Sequence, residues 1–306
     1  MHFVYKKDKK TVENRCKNRK IWYDIPMPNT CTHLVFGARV AEAAGIPPES
    51  LGELFYLGCL GPDYYFYDRL PPTPFVPHQK KHGNVLHGLD CCTLFSSLAE
   101  KADPSLRPYL YGFLTHVALD GTVHPYVDAK HAGGAHSRFE GVIDSIVFQN
   151  TQNEFPYRAV LNARADVKEI DALLSDVSKA LCGTDVSGAY IRGVRKFRRL
   201  VPFLYDPRGR RYRFLRFFER LFGKPGFLSD LLIGAGHEDA EDSMNLSQNS
   251  WASPWEPDRV RTESVPMLLD EATALAVDLI RAFDANDRES LQKLLRNRTM
   301  QKGVLL

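Results

Sequence analysis

Residues 112–126, GFLTHVALDGTVHPY, decide the fold of this chain because they combine helical apolar spacing with a regular series of polar side chains. His116, Asp120 and His124 are each four residues apart. On an α-helix such residues share one face, with Cβ atoms about 5–6 Å apart, so the three side chains would form a continuous stripe. Because a carboxylate has two oxygens, Asp120 could bind one metal beside His116 and contact a second. The stretch therefore predicts a helix that bears metal ligands.

Pro125 directly follows the last residue of this stripe. Proline disfavours helical geometry in the residue before it. We therefore expect the helix to end at His124, with that side chain directed away from the ideal stripe.

His136 and Glu140 add a second pair of potential ligands four residues apart. Five such side chains between residues 116 and 140 indicate a multinuclear site, and imidazole with carboxylate but no thiolate suits a hydrolytic zinc centre. The competing interpretation is that these side chains lie on a solvated helix face or form hydrogen bonds in the core. A single HxxxH or HxxxE pair occurs in both of these settings. A zinc protease is disfavoured, because Val117 stands where those enzymes place a glutamate.

Apolar residues recur at intervals of three and four along most of the chain, and no alternating strand pattern recurs. The helical segments are residues 33–45, 86–101, 105–123, 135–149, 167–182 and 264–284. We therefore expect an all-α fold in which ligands project inward from neighbouring helices, with the metal site between them. Residues 235–260 are expected to form a long loop, where Asn245, Trp251 and Trp255 either line a pocket mouth or serve packing.

Four segments together resemble the zinc-dependent phospholipase C/D family. They are THLVFG (32–37), GPDYYFY (61–67), GFLTHVALDGTVHPY (112–126) and HSRFEGVID (136–144). The resemblance covers residues 27–150, and continues more loosely through NLSQNSW (245–251) and SVPMLLDEATALAVDLI (264–280). It implies a multi-helix bundle like those of phospholipase C and P1 nuclease over residues 27–306, with a metal-binding core at 27–150, a basic helical segment at 185–225 and C-terminal helices at 260–300. Residues 1–26 would form an N-terminal extension.

The same resemblance implies a set of metal ligands. It places one zinc ion on His87, His116 and Asp120, and a second on His124, His136 and Glu140. Asp120 would bridge to a third zinc ion that His33 also binds. In characterised family members the amine and carbonyl of an N-terminal tryptophan complete that third site, whereas 32 residues precede His33 in this chain. Two zinc ions are therefore expected, and the third stays open.

Asp63 matches the family's essential carboxylate beside the metals, in a loop expected to enter the pocket. The resemblance implies a zinc-bound hydroxide as nucleophile, with Asp63 as its orienting base and Asp120 as the carboxylate that sets the metal separation. The expected protein is a phospholipase C-like metallohydrolase acting on a phospholipid or a related phosphodiester. The alternatives are a P1-type nuclease or nucleotidase, and a non-catalytic, metal-stabilised helical module that binds membranes or a partner.

The assignment of His87 has competitors, since His78 and His82 lie on the same segment. We prefer His87 because residues 86–100 predict the start of an amphipathic helix, whereas residues 71–77 are proline-rich. His131, next to a Gly-Gly pair, is expected to be a surface histidine.

Asp144 follows Glu140 by one further helical turn. It would either orient His136 or a neighbouring ligand from outside the metal site, or face solvent.

Composition indicates an ordinary folded protein: 306 residues, 44% hydrophobic and 25% charged, are enough for a proper core. No stretch approaches the roughly 20 apolar residues of a membrane-spanning helix, and the first 20 residues lack the apolar segment of a secretion signal. We therefore expect a cytoplasmic protein. The six cysteines show no CxxC pairing, which predicts reduced thiols.

Residues 192–224 concentrate arginines among phenylalanine, leucine and tyrosine, with Asp206 and Glu219 as the acidic residues. Three interpretations stay open. The arginines could pair within the chain, for example with the acidic residues of 163–177, or the segment could contact a lipid headgroup layer peripherally. Binding of nucleic-acid phosphates is the less favoured third.

Overall fold

The computed structural model describes residues 30–68, 82–130, 136–150, 160, 167–206, 208–223, 229, 232 and 243–303, and these residues are predominantly helical. Their helices are α1 (Thr30–Ala43), α2 (Pro48–Cys59), α3 (Tyr64–Tyr67), α4 (His82–His87), α5 (Cys91–Lys101), α6 (Arg107–Lys130), α7 (His136–Asn150), α8 (Lys168–Cys182), α9 (Ala189–Leu204), α10 (Arg210–Leu221), α11 (Val265–Asp284) and α12 (Arg288–Leu295). Two 3₁₀ turns cover Gly61–Asp63 and Pro104–Leu106. The all-α prediction is confirmed. The expected extension, residues 1–26, lies outside the described residues.

α6 is the central helix and is buried along most of its length. It continues through Pro125 to Lys130, so the prediction that it ends at His124 is wrong. Proline removes a helical hydrogen bond to the carbonyl four residues back, here that of Gly121. Gly303 packs against this point, since a Cβ on Gly303 would lie 2.5 Å from the Gly121 oxygen and 2.8 Å from Pro125 Cγ. The helix is thus held by tertiary packing where the local preference would end it.

Two glycines allow α2 to approach α6 closely. A Cβ on Gly58 would meet the Tyr109 carbonyl, and a Cβ on Gly112 would meet the Phe55 carbonyl. The backbones can therefore approach without intervening side chains. This contact brings the turn that follows α2, which contains Asp63, against the polar stripe of α6.

The segment predicted as one helix over residues 86–101 is divided between α4 and α5. Asp90 is the N-cap of α5, because its carboxylate accepts hydrogen bonds from the Thr93 amide (2.9 Å) and hydroxyl (2.7 Å). Such a cap satisfies backbone donors that the first turn of a helix leaves free. His87 therefore ends α4, whereas we expected it at the start of a longer helix.

The predicted loop over residues 235–260 is wrong in part, because β1 (Trp251–Ala252) and β2 (Val260–Arg261) form a short antiparallel pair. Asn245 is fully buried, and its side-chain amide donates to the carbonyls of Asn249, Thr262 and Glu263. These bonds hold the two sides of the loop together, so Asn245 has the packing role.

Within the described residues, no helix has the length and apolar character needed to cross a bilayer. The five cysteines in this part of the chain are free thiols.

Candidate metal centre

The stripe on α6 forms the floor of a cluster of histidines and carboxylates. His116 Nε2 lies 3.2 Å from Asp120 Oδ2, and His124 Nε2 lies 3.8 Å from Asp120 Oδ1. The i, i+4 spacing therefore places all three side chains on one face, as predicted from the sequence. Because α6 continues past His124, that side chain stays in line with the stripe.

His87, His116 and Asp120 form one group of potential ligands. The Nε2 atom of His87, from the end of α4, lies 3.4 Å from His116 Nε2 and 3.4 Å from Asp120 Oδ2. The three ligand atoms lie within 4.8 Å of one another, and all three residues are buried. One metal ion could contact all of them.

His124, His136 and Glu140 form a second group. Glu140 Oε1 lies 3.0 Å from His124 Nε2 and 3.1 Å from His136 Nε2. Two ligands come from α7 and one from α6. The structure thus places the HxxxE pair of the sequence opposite the end of the α6 stripe.

His33 and Asp63 complete the cluster from α1 and from the turn after α2. His33 Nε2 lies 3.1 Å from Asp120 Oδ1, whereas Asp63 Oδ1 lies 3.1 Å from His87 Nε2. His33, Asp63 and His116 also form a group whose ligand atoms are within 4.8 Å of one another. The two oxygens of Asp120 thus face different histidines, an arrangement suited to a bridging carboxylate.

Gly61 allows Asp63 to reach this position. Its φ is +44°, and a Cβ there would lie 3.0 Å from the ring of His116. Glycine adopts a positive φ readily and has no Cβ to meet the ring. The turn can therefore pack directly on the ligand stripe.

The competing histidines have different positions. His82 packs edge-on against Tyr65, with ring centroids 6.0 Å apart, and joins none of the described ligand groups. His78 and His131 lie outside the described residues. The structure therefore brings His87, and not His82, to the cluster.

Four of the histidines contact an oxygen through the ring nitrogen that points away from the cluster. The contacts of Nδ1 are Gly83 O at 2.7 Å for His87, Cys59 O at 3.1 Å for His116, Met300 O at 2.8 Å for His124, and Asp128 Oδ1 at 2.9 Å for His136. When Nδ1 donates its proton to these acceptors, Nε2 presents a lone pair to the cluster. Outer contacts of this kind orient metal-binding histidines.

The outer contact of His136 extends further. Asp128 Oδ2 accepts a hydrogen bond from Trp255 Nε1 at 2.9 Å, so the loop that precedes α11 supports a ligand on α7. Sequence analysis missed the role of Asp128. The i, i+4 spacing from His124 places Asp128 on the same helix face as the ligands. This spacing does not connect Asp128 with His136.

Asp144 lies outside the ligand groups but beside the neighbouring ligand His33, which agrees with the first of the two positions expected for it. It is buried, and its Oδ1 accepts hydrogen bonds from the Thr32 amide (2.7 Å) and hydroxyl (2.9 Å). Burial raises the pKa of Asp144 to about 6, while the bonds from Thr32 act in the opposite direction. The solvent-facing alternative is therefore wrong, and Asp144 holds the start of α1 beside His33 rather than orienting His136.

The carboxylates of the cluster are paired with histidines. Within the described part of the chain, no lysine or arginine forms an ion pair with Asp63, Asp120 or Glu140. Three carboxylates in a poorly hydrated site are costly unless they are paired or bind metal. Protonated histidines can supply positive charge next to these three carboxylates.

The pKa values reflect this pairing. Burial lowers the pKa of His87, but hydrogen bonds to Asp120 and Asp63 outweigh it and raise the value to about 10. For His136, burial lowers the pKa, whereas the charge of Glu140 and the bond to Asp128 raise it to about 11. Burial raises the pKa of Glu140, but the neighbouring histidines reduce it to about 2. Without metal, protonated histidines thus neutralise the carboxylates that a divalent cation would otherwise neutralise.

The donor set fits zinc. Imidazole and carboxylate, without thiolate, are typical ligands of catalytic zinc sites. The two groups of three ligands, His87–His116–Asp120 and His124–His136–Glu140, each leave coordination positions for water or substrate.

Comparison with known proteins agrees with this geometry. The family model described as zinc dependent phospholipase C matches residues 32–190, a range that includes all eight residues of the cluster. No curated protein and no solved structure gives a match.

Proposed function

Since the chain belongs to the zinc-dependent phospholipase C family, we propose that it is a zinc-dependent phosphodiester hydrolase that acts on a phospholipid or a related phosphodiester. The observation that carries the proposal is the position of Asp120, between His33, His87 and His116, with His124 one turn further along α6. A carboxylate in this place can hold neighbouring metal ions at a short separation.

We assign His87, His116 and Asp120 to one zinc ion, and His124, His136 and Glu140 to a second. His33 with Asp120 would bind a third ion if another group supplied the donors that an N-terminal tryptophan provides in the family. The family and the two ligand groups support zinc as the cofactor.

Zinc ions held by these residues would lower the pKa of bound water toward 7 and neutralise phosphate charge. Asp63 would orient the attacking water and accept its proton. Its side chain is 13% exposed, compared with 3% for Asp120, and it lies against His87 and His33 at the edge of the cluster. A base that must meet substrate water needs this access, whereas a bridging ligand does not.

The first test is the zinc content of the protein purified without chelator. We expect about two zinc ions per chain, with a decrease in His136→Ala and in His87→Ala. His82→Ala is the matched control, because its imidazole lies nearby on α4 but outside the ligand groups, and it should retain the metal. Metal content that none of the three substitutions changes would contradict the proposed centre.

The second test is a substrate panel: a water-soluble choline phosphodiester, a phosphatidyl lipid and single-stranded DNA. Zinc-dependent turnover of either of the first two supports the proposal. Turnover of DNA alone would identify the P1-type nuclease alternative, and zinc binding without turnover would identify a non-catalytic module.

A further inference from the structure

The exposed face of α10 is apolar. Phe214, Phe217, Phe218 and Leu221 follow the spacing i, i+3, i+4, i+7, which places them on one side of the helix. Their exposed fractions are 63%, 65%, 38% and 69%. A surface helix usually turns such a stripe toward the core. Here the stripe faces outward.

The inward face of α10 carries the polar contacts instead. Glu219 is buried, and its carboxylate accepts hydrogen bonds from the Ser229 amide (2.7 Å) and hydroxyl (2.6 Å). Asp206 accepts from the amides of Arg210 (3.1 Å) and Tyr212 (2.8 Å) at the start of the helix. Both acidic residues of the segment 192–224 are therefore turned inward and bound.

Arginines flank the apolar stripe. Arg210, Arg213 and Arg220 are exposed and form no ion pair with any residue that the structure describes. Arg211 extends over the ring of Phe203, 5.3 Å from its centroid, and donates to the Phe203 carbonyl. Phe203 is itself exposed. The outward face thus combines unpaired positive charge with aromatic surface.

Two other basic residues of the segment, Arg192 and Lys196, form contacts within the chain. Arg192 on α9 binds both oxygens of Asp68, at 2.9 and 3.1 Å, and Lys196 donates to the Asp68 carbonyl. Asp171 of α8 caps α9, accepting from the amides of Gly188 and Tyr190. Intramolecular pairing therefore accounts for the start of α9, and leaves the face of α10 unexplained.

We infer that the outward face of α10 docks on an anionic lipid surface, with its phenylalanines and leucine entering the headgroup layer and its arginines contacting lipid phosphates. A basic helix with a strong apolar face lies in the plane of such an interface, and anionic lipids attract arginines near the surface. The choice of a lipid surface rests on the proposed function, in which the substrate is a phospholipid.

The contacts within the stripe favour lipid over the other occupants. The rings of Phe214 and Phe218 lie 4.8 Å apart and those of Phe217 and Phe218 5.4 Å apart, so they form one apolar wedge. Single-stranded nucleic acid is bound by aromatic rings on which successive bases stack, and these rings are already packed on each other. A symmetric contact with a second copy would bring arginine against arginine, which like-charge repulsion disfavours.

α10 follows a helix that packs beside the turn containing Asp63. The preceding helix, α9, packs on α3, where a Cβ on Gly193 would meet the Tyr64 carbonyl. Tyr64 directly follows Asp63. α10 is therefore connected through α9 to the turn that contains Asp63.

The test measures binding of the full zinc-loaded chain to phosphatidylcholine vesicles with and without phosphatidylserine. We expect binding that requires phosphatidylserine and weakens with salt. The double variant Phe217→Ser/Leu221→Ser should bind at least about tenfold more weakly, and Arg213→Gln/Arg220→Gln should lose about tenfold or more on the anionic vesicles. Leu246→Ser/Met267→Ser and Arg288→Gln/Arg296→Gln are matched controls, since these side chains are exposed elsewhere.

Turnover separates this inference from the proposed function. Phe217→Ser/Leu221→Ser should hydrolyse a water-soluble choline phosphodiester at the wild-type rate and a vesicle substrate at least about tenfold more slowly. Vesicle binding without turnover of any phosphoester would contradict the proposed function and leave the docking intact. Normal turnover with no vesicle binding, or equal binding by α10 variants and controls, would overturn the docking.

Two further outcomes would replace the lipid surface by another occupant. Binding to single-stranded DNA that the α10 variants weaken, without vesicle binding, would assign the face to nucleic acid. Concentration-dependent dimerisation that Phe217→Ser/Leu221→Ser abolishes, again without vesicle binding, would assign it to a second copy of the chain.

Discussion

The cluster on α6 and the outer face of α10 depart from the usual distribution of side chains in opposite ways. The cluster places three carboxylates and five histidines in buried or partly buried positions, whereas α10 exposes phenylalanine and leucine to solvent. Buried charges need partners or metal, and contiguous exposed apolar surface marks an interaction site. In the cluster, histidines are the partners of the carboxylates, whereas the apolar stripe of α10 is left exposed. Each region therefore has the properties of a binding site, for a cation in the cluster and, as we propose, for a lipid surface on α10.

Asp120→Ala is expected to have the largest effect on the cluster. Asp120 contacts histidines through both oxygens, so its loss should reduce zinc content and phosphodiesterase activity together. The decrease should exceed the roughly 100-fold that is typical for outer contacts of a metal site. Asp270→Ala, at an exposed residue that pairs with Arg39, should change neither quantity when both variants are measured by elemental analysis and turnover.

Asp63→Asn separates chemistry from metal binding. The amide keeps the shape of the side chain but cannot accept the proton, so we expect turnover to fall by about 10²–10⁴-fold with zinc content unchanged. Full activity in this variant would show that Asp63 is not the base. Loss of zinc would instead make Asp63 a ligand.

Asp128→Ala tests the outer contact of His136. Removing its carboxylate takes away the acceptor of His136 Nδ1, and zinc affinity measured by chelator competition should fall by about 10–100-fold. Asp176→Ala is the matched control, because Asp176 is an exposed carboxylate on α8 that belongs to none of the ligand groups. An unchanged affinity in Asp128→Ala would mean that the hydrogen bond does not support the ligand.

Zinc affinity should increase with pH over the neutral range. In the metal-free arrangement burial lowers the pKa of His124, but Asp120 and Glu140 raise it to about 9, and His87 and His136 reach about 10 and 11. These imidazoles hold protons at pH 7 that zinc must displace. Titration of the metal-free protein with zinc in weak buffer should therefore release protons, and binding without proton release would contradict the raised pKa values.

The smallest effect is expected on stability. Phe217→Ala on α10 should change the free energy of unfolding by no more than about 0.5 kcal/mol, because the ring is already exposed. Phe113→Ala on α6 removes a fully buried ring and should cost about 3–5 kcal/mol. Denaturant unfolding of both variants measures the contrast. A large destabilisation by Phe217→Ala would show that the stripe is packed against the protein.

The helices could be predicted where their apolar spacing is regular, and the predicted segments match α1, α7, α8 and α11 closely. The boundaries at His87 and His124 were wrong for different reasons. Asp90 caps a new helix inside the expected one, which is a local signal that the apolar spacing obscured. At Pro125, α6 packs against Gly303, which is distant in the chain, so a local sequence pattern does not include this contact.

In the candidate site too, features that depend on local spacing could be predicted, whereas features that depend on contacts between elements could not. The spacing of His116, Asp120 and His124 predicted a shared face because the helical repeat is local. The role of Asp128 and the contact of Asp144 with Thr32 could not be predicted, since each depends on a contact between different elements of the fold. The carbonyl of Met300 is a similar case, because any residue offers a backbone oxygen and no side-chain pattern identifies it.

The sequence by itself determined the types of ligand, their helical spacing and the amphipathic repeat of α10, because covalent order and the helical repeat are sufficient for these. Only the tertiary structure decided that the apolar side of α10 faces outward. It also decided that Asp144 accepts a hydrogen bond from Thr32 and that His124 Nδ1 contacts the Met300 carbonyl. The physical reason is that a helix defines which side chains share a face. Packing against remote elements defines where that face points.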